Sequence, residues 1–199
     1  MESVEILMRE HRTVMLVVQA ARRDLEGAGE THEIAELEVE RLLDFFRYFT
    51  NSCHDPKEED LLFTALNRRG LPWDEYPLRE LVRDHKEMRV VLDSASDWLP
   101  LVRAGDSTAT LPLVHDLEIY LDLVERHIAA EESSVFPLVP ERLTARDLGE
   151  LSDAFAAIAC EEREEGVHAY YTDLAHELAG AAHTWSGPRR GPSGPRVAQ

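Results

Sequence analysis

The chain has 199 residues, 44% hydrophobic and 30% charged, with 39 acidic against 21 basic side chains and a formal net charge of −18. That length suits one domain with a true hydrophobic core. No apolar run approaches the ~20 residues that span a bilayer, and so acidic a surface repels nucleic-acid phosphates. Neither a membrane nor a nucleic-acid partner is expected; cations are the natural partners. The opening MESVEILMREHR lacks a basic segment followed by an apolar one, so a cytoplasmic location is expected. Cys53 and Cys160 make neither a disulfide framework nor a zinc-finger spacing and are expected as buried thiols.

Strand alternation and hairpin turns are nearly absent, and helical periodicity fills the chain. The first helix is expected from Val4 to Leu25, ended by Gly27-Ala28-Gly29, and the second from Thr31 to Arg69, ended by Gly70-Leu71-Pro72. The third runs from Pro77 to Arg103 before Ala104-Gly105-Asp106, the fourth from Leu111 to Phe136 before Pro137 and Pro140, and the fifth from Thr144 to Trp185. Short connections between long helices predict an all-α, antiparallel up-down-up-down four-helix bundle with the additional C-terminal helix packed on it. Residues 1–185 form that domain, and the Pro/Gly/Arg-rich 186–199 are expected as a disordered tail.

The core-facing stripe of the first helix reads Val4, Leu7, Met8, His11, Val14, Met15, Val18, and that of the third reads Leu78, Leu81, Val82, His85, Met88, Leu92, Ala95, Leu99. A lone histidine on an apolar face is most simply a hydrogen-bonded core residue, but here two helices each place one at mid-stripe. The second and fourth helices carry a pattern written twice. His54, Glu58, Glu59 and Phe63 recur at the same spacing as His127, Glu131, Glu132 and Phe136. Residues four apart share a helix face, so each copy presents an imidazole and a carboxylate together. His11 precedes His54 by 43 residues and His85 precedes His127 by 42, and Glu10-His11-Arg12 matches Asp84-His85-Lys86. The two hairpins are near-repeats.

Four imidazoles and two carboxylates meeting in a dry core would be very costly without a ligand. Each hairpin offers two neutral nitrogens and a carboxylate, enough for four protein donors on each of two metals, with a solvent-derived oxo or hydroxo bridge as a fifth. Mixed donors with an open position suit iron, ahead of manganese or zinc. At these residues the chain resembles the hemerythrin-like family, the HHE cation-binding domains, over about residues 3–140. The resemblance implies a non-haem di-iron centre with Glu58 and Glu131 as bridging ligands and His11, His54, His85 and His127 as terminal ones. Its members carry oxygen, sense iron or oxygen, or act on peroxide and nitric oxide.

The chain departs from the oxygen carriers of that family, which have a second histidine one turn from the first on the third helix; here Arg89 and Leu81 flank His85 at four residues. Two histidines per metal would leave both metals open. This favours an oxidoreductase with catalase- or peroxidase-like activity on hydrogen peroxide, or with nitric oxide or dioxygen chemistry, over reversible carriage. The alternative is a non-catalytic sensor or carrier whose metal controls stability or a partner surface, and the plainest reading is a metal-free bundle acting through the last helix.

Pro56 deletes a helical hydrogen bond and should kink the second helix; a rival reading makes Asp55 an N-cap, Pro56 the first helical residue and Glu58 a capping-box partner. Arg47 and Tyr120 each lie seven residues before a ligand histidine. Tyr120 is thus a candidate to donate a hydrogen bond to an oxidant beside the metals; the plainer alternative is that both side chains only line the bundle end. Asp55 has Ile128 as its counterpart and is left out of the ligand set. His32, His115, His168, His176 and His183 lack the pattern and are expected in solvent or packing roles, and the run Glu161-Glu162-Arg163-Glu164-Glu165 as a solvated face.

Overall fold

The computed structural model describes residues 2–31, 34–161 and 167–180. Among these the chain is helical with no strand. Helix α1 spans Glu2–Thr31. A continuous rod follows through residues 36–68, made of α2 (Glu36–Phe45), π-helical Phe46–His54 and Lys57–Phe63, and α3 (Thr64–Arg68). Then come α4 (Leu78–Arg103), α5 (Thr110–Ser134), α6 (Leu138–Arg142), α7 (Ala145–Glu161) and α8 (Val167–Gly180).

Several expected boundaries move. Helix α1 does not stop at Gly27-Ala28-Gly29, because a helical glycine costs only about 1 kcal/mol and no proline follows to break the ladder. The expected fifth helix is described as α7 and α8, on either side of residues 162–166, which lie outside the described residues, and it is preceded by the short α6, which starts directly after Pro137. Thr144 and Asp147 explain the start of α7: the Asp147 carboxylate accepts from the Thr144 backbone N–H at 2.7 Å, and the Asp147 N–H donates back to the Thr144 hydroxyl at 3.3 Å. The expected disordered tail, His32, His183 and residues 162–165 of the acidic run lie outside the described residues, as do the side-chain environments of Cys160 and His168. His115 and His176 are exposed, and Cys53 is buried.

Two glycines end helices as expected. Gly70 (φ 88°) and Gly105 (φ 84°) adopt the left-handed conformation, and each lets the next N–H reach back, Leu71 to the Leu66 carbonyl at 3.1 Å and Asp106 to that of Leu101 at 3.0 Å.

The apolar residues gather in two clusters. One holds Val14, Val18, Phe45, Phe46, Phe49, Leu92, Leu117, Tyr120 and Val124 and is joined by Tyr171, Leu174 and Leu178 of α8. The other holds Leu7, Leu62, Phe63, Leu78, Leu81, Val135 and Phe136 and is joined by Leu151 and Phe155 of α7. Four helical elements cross from one cluster to the other, and the direction alternates: Leu7 to Val14 on α1, Phe49 back to Leu62 on the second rod, Leu81 to Met88 on α4, and Val124 back to Val135 at the end of α5. At each crossing stands a buried polar residue: His11, His54 with Glu58, His85, and His127 with Glu131.

Candidate metal centre

The π-helical segments explain how the second rod carries Pro56 without ending. The proline cannot donate to the carbonyl four residues back, and around it the chain widens to bonds spanning five residues, as from the Asp55 N–H to the Thr50 carbonyl. Asp55 keeps helical dihedrals (φ −51°, ψ −41°), so it is not an N-cap. Its carboxylate instead accepts from Arg89 Nη1 at 3.1 Å. The wider turn also corrects Arg47. Seven residues along a π-helix no longer return to the same face, and Arg47 is exposed, bonded to Ser96 at 2.8 Å and away from the cluster.

All six expected ligand residues converge. His11, His54, Glu58 and Glu131 bring donor atoms within 4.8 Å of one another, and Glu58, His85 and His127 form a second such group. His54 Nε2 lies 2.9 Å and His11 Nε2 3.3 Å from Glu58 Oε1, while His85 Nε2 lies 3.3 Å from Glu58 Oε2. Glu58 therefore addresses one group with each oxygen. Glu131 is grouped with the first set, 3.3 Å from His11 Nε2.

Sequence spacing points to these six alone, and the residues that hold them lie in the same repeated pattern. Glu59 accepts from His85 Nδ1 at 2.8 Å, and Glu132 from His11 Nδ1 at 3.0 Å. Phe63 stacks on the His85 ring and Phe136 on that of His11. The second glutamate and the phenylalanine of each copy thus orient the histidine of the opposite hairpin, which accounts for the whole motif. His54 Nδ1 donates to Glu10 at 2.9 Å, and Glu10 is clamped in turn by the buried Lys57 ammonium at 2.8 Å. Fixing the outer nitrogen by a carboxylate turns Nε2 inward and raises its basicity, as around metal-ligating histidines.

Electrostatics show how unsettled the cluster is on its own. Burial disfavours charge on His11, yet Glu131 and Glu58 raise it to about 9. His85, likewise buried, is carried to about 10 by Asp55, Glu58 and Glu59. Burial lowers His127 to about 4. Glu58 is held well below the usual carboxylate range despite its burial, by His54, His11 and His127, whereas burial and the Glu58 charge push Glu131 up to about 8.

Unsatisfied atoms remain. Glu58 Oε2, both Glu131 oxygens and His127 Nδ1 are buried without a hydrogen bond, each a penalty of about 1–3 kcal/mol. The His85 and His127 Nε2 atoms stand 2.9 Å apart, close to the ~3 Å expected for two nitrogens bound about 2.1 Å from one ion at a right angle. Imidazole and carboxylate donors with inward lone pairs fit divalent first-row metals.

Tyr120 is buried, its hydroxyl 3.3 Å from Thr50 Oγ1, and burial raises its pKa so that it stays protonated. A small cavity of about 20 Å³ beside the centre is lined in part by Tyr120, Thr50, Met88, Val124, His54 and His127, one histidine from each group.

Lys57 offers a test of the shell. Lys57→Ala is expected to lower stability by about 3 kcal/mol, because it removes the buried ammonium that pairs with the buried Glu10 carboxylate at 2.8 Å. A urea unfolding midpoint unchanged from wild type would show that this ion pair contributes nothing.

A family model described as the hemerythrin HHE cation-binding domain matches residues 2–139. Uncharacterized proteins of Mycobacterium tuberculosis, strains H37Rv and CDC 1551, and of Mycobacterium bovis are each 26% identical over 155 residues, covering 76% of this chain. The chain spans 58% of the length of those relatives. No solved structure matches.

Proposed function

The chain belongs to the family of hemerythrin HHE cation-binding domains, and we propose that within it the protein is a non-haem di-iron protein acting on small oxidants, hydrogen peroxide first, with nitric oxide or dioxygen as related substrates. The observation that carries this reading is Glu58, fully buried, with one oxygen beside His11 and His54 and the other beside His85. His11, His54, Glu58 and Glu131 would hold one iron, and His85, His127 and Glu58 the other. The alternating passage of the helices between the two apolar clusters supports an up-down-up-down four-helix bundle around that centre.

Bound there, two iron ions supply one electron each, the pair that peroxide chemistry exchanges. The chain's own residues do the rest. Glu10, Glu59 and Glu132 fix three imidazoles by their outer nitrogens. Val14, Met88, Val124 and Ile128 give the pocket an apolar wall, and the protonated Tyr120 hydroxyl can donate a hydrogen bond to an oxidant lodged beside His54 and His127. Neither group contains three histidines, which favours turnover over a carrier with one closed and one open metal.

Mixing the oxidised, iron-loaded protein with hydrogen peroxide is expected to consume it with gas evolution. A stable oxygenated form that releases oxygen under vacuum, without peroxide consumption, would replace this reading by carriage. Tyr120→Phe is expected to keep its iron and to slow peroxide consumption about a hundredfold through loss of one buried donor; an unchanged rate would confine Tyr120 to packing. A sensor role is favoured by a separate observation, the supply of the cluster by four helical elements that metal would tie together.

A further inference from the structure

The two hairpins repeat closely enough that the residues around each centre histidine have counterparts in the other copy, and the outer partners of His54 and His127 differ between the copies. On the first side His54 Nδ1 is held by Glu10, itself neutralised by buried Lys57. The counterparts are His127 for His54, Asp84 for Glu10 and Ala130 for Lys57. Asp84 is buried next to His85, yet its Oδ1 makes no hydrogen bond, and its nearest cations are Arg83 Nη2 at 3.5 Å and Arg126 Nη2 at 3.6 Å. His127 Nδ1, beside Arg126 in sequence, is likewise buried and unbonded. An orphaned acceptor and an orphaned donor thus belong to the two residues whose counterparts in the other hairpin, Glu10 and His54, are bonded to each other. Aspartate is one methylene shorter than glutamate, and alanine vacates the volume that Lys57 fills.

We propose that Asp84 is the positioning residue of His127, acting across that extra methylene through a bridging water, and that the looser hold makes the half of the centre formed by His85 and His127 the half that exchanges its metal. A polar site with a carboxylate, an imidazole N–H and nearby guanidinium groups meets the need of a buried water for two to four partners. The inner donors differ in the same sense, since Glu131 joins only the His11 and His54 group. Losing an outer partner of a ligand histidine weakens metal binding by about 10–100-fold, and here nature has lengthened rather than deleted the contact. The inference rests on the di-metal reading above and concerns which half lets go.

The test is release of iron(II) from the anaerobically loaded protein into a colorimetric chelator, with activity left out. The wild type is expected to lose its iron in two phases of about one ion each. Asp84→Asn, nearly isosteric, should accelerate the fast phase about tenfold or more and leave the slow one alone. Asp84→Glu, which restores the length of Glu10, should slow the fast phase. Glu10→Gln should accelerate the slow phase. Thermal melts of the metal-free variants establish that each is folded, and either Asp84 variant alone decides the matter if the other is not. Release in a single phase, or fast-phase rates unmoved by both Asp84 variants, overturns the inference and confines Asp84 to pairing with Arg83 and Arg126. A wild type that takes up no iron overturns the di-metal reading and this inference together.

Discussion

Glu58→Ala is expected to cost the protein both metal ions, whereas His115→Ala keeps both. Glu58 is fully buried and is the only carboxylate among the described residues that appears in both donor groups of the centre. Its loss takes one donor from the first group and leaves the second with two imidazoles alone, too few for a divalent ion to remain through purification. His127→Ala is the milder cut: it removes one donor from one group, and it is expected to lower bound iron to about one ion or fewer per chain by the same donor arithmetic. His115 is exposed on α5, well before His127, and no donor group contains it. Iron content by elemental analysis reads all three variants. Equal retention in Glu58→Ala and His115→Ala would show that the buried cluster is not where metal binds.

Removing the metal is expected to lower the melting temperature steeply. Each ion binds only the folded chain, so at a free concentration a thousand times its Kd it stabilises the fold by about 4 kcal/mol. For a chain of this size each kcal/mol moves Tm by about 2–4 °C, so one tight ion is worth roughly 10 °C and two roughly twice that. The physical reason lies in the buried atoms that stay unbonded without a cation, Glu58 Oε2 and both Glu131 oxygens. Those groups burden a fold whose two apolar clusters must then hold alone. Paired calorimetric melts of loaded and chelated protein make the comparison; coincident curves would mean that the apolar clusters set the stability and that the centre adds nothing to it.

Much of the fold and of the centre is legible in periodicity and spacing. The stripes through Leu7, His11 and Val14 and through Leu81, His85 and Met88 are buried as expected, because a helix keeps three- and four-residue neighbours on one face. The doubled pattern supplies His54, Glu58, His127 and Glu131 for the same reason, and the stripes supply His11 and His85. What is less legible depends on tertiary contact. Glu59 and Glu132 stand in the repeated pattern, but their histidines lie on the opposite hairpin, and helical spacing carries no information about that. Glu10 and Asp84 match as counterparts in the sequence without acquiring a role there, since only their positions relative to His54 and His127 supply one. An α-helical face count misplaces Arg47 because it runs across a π-helical stretch, whose wider turn follows from Pro56.

Anaerobic titration of iron(II) into the metal-free protein tests most directly whether two ions share Glu58. The spectral or fluorescence change is expected to break at two equivalents per chain in the wild type and to vanish in Glu58→Ala. A break at one equivalent, or a titration that Glu58→Ala leaves unaltered, would contradict a two-ion centre organised on that residue.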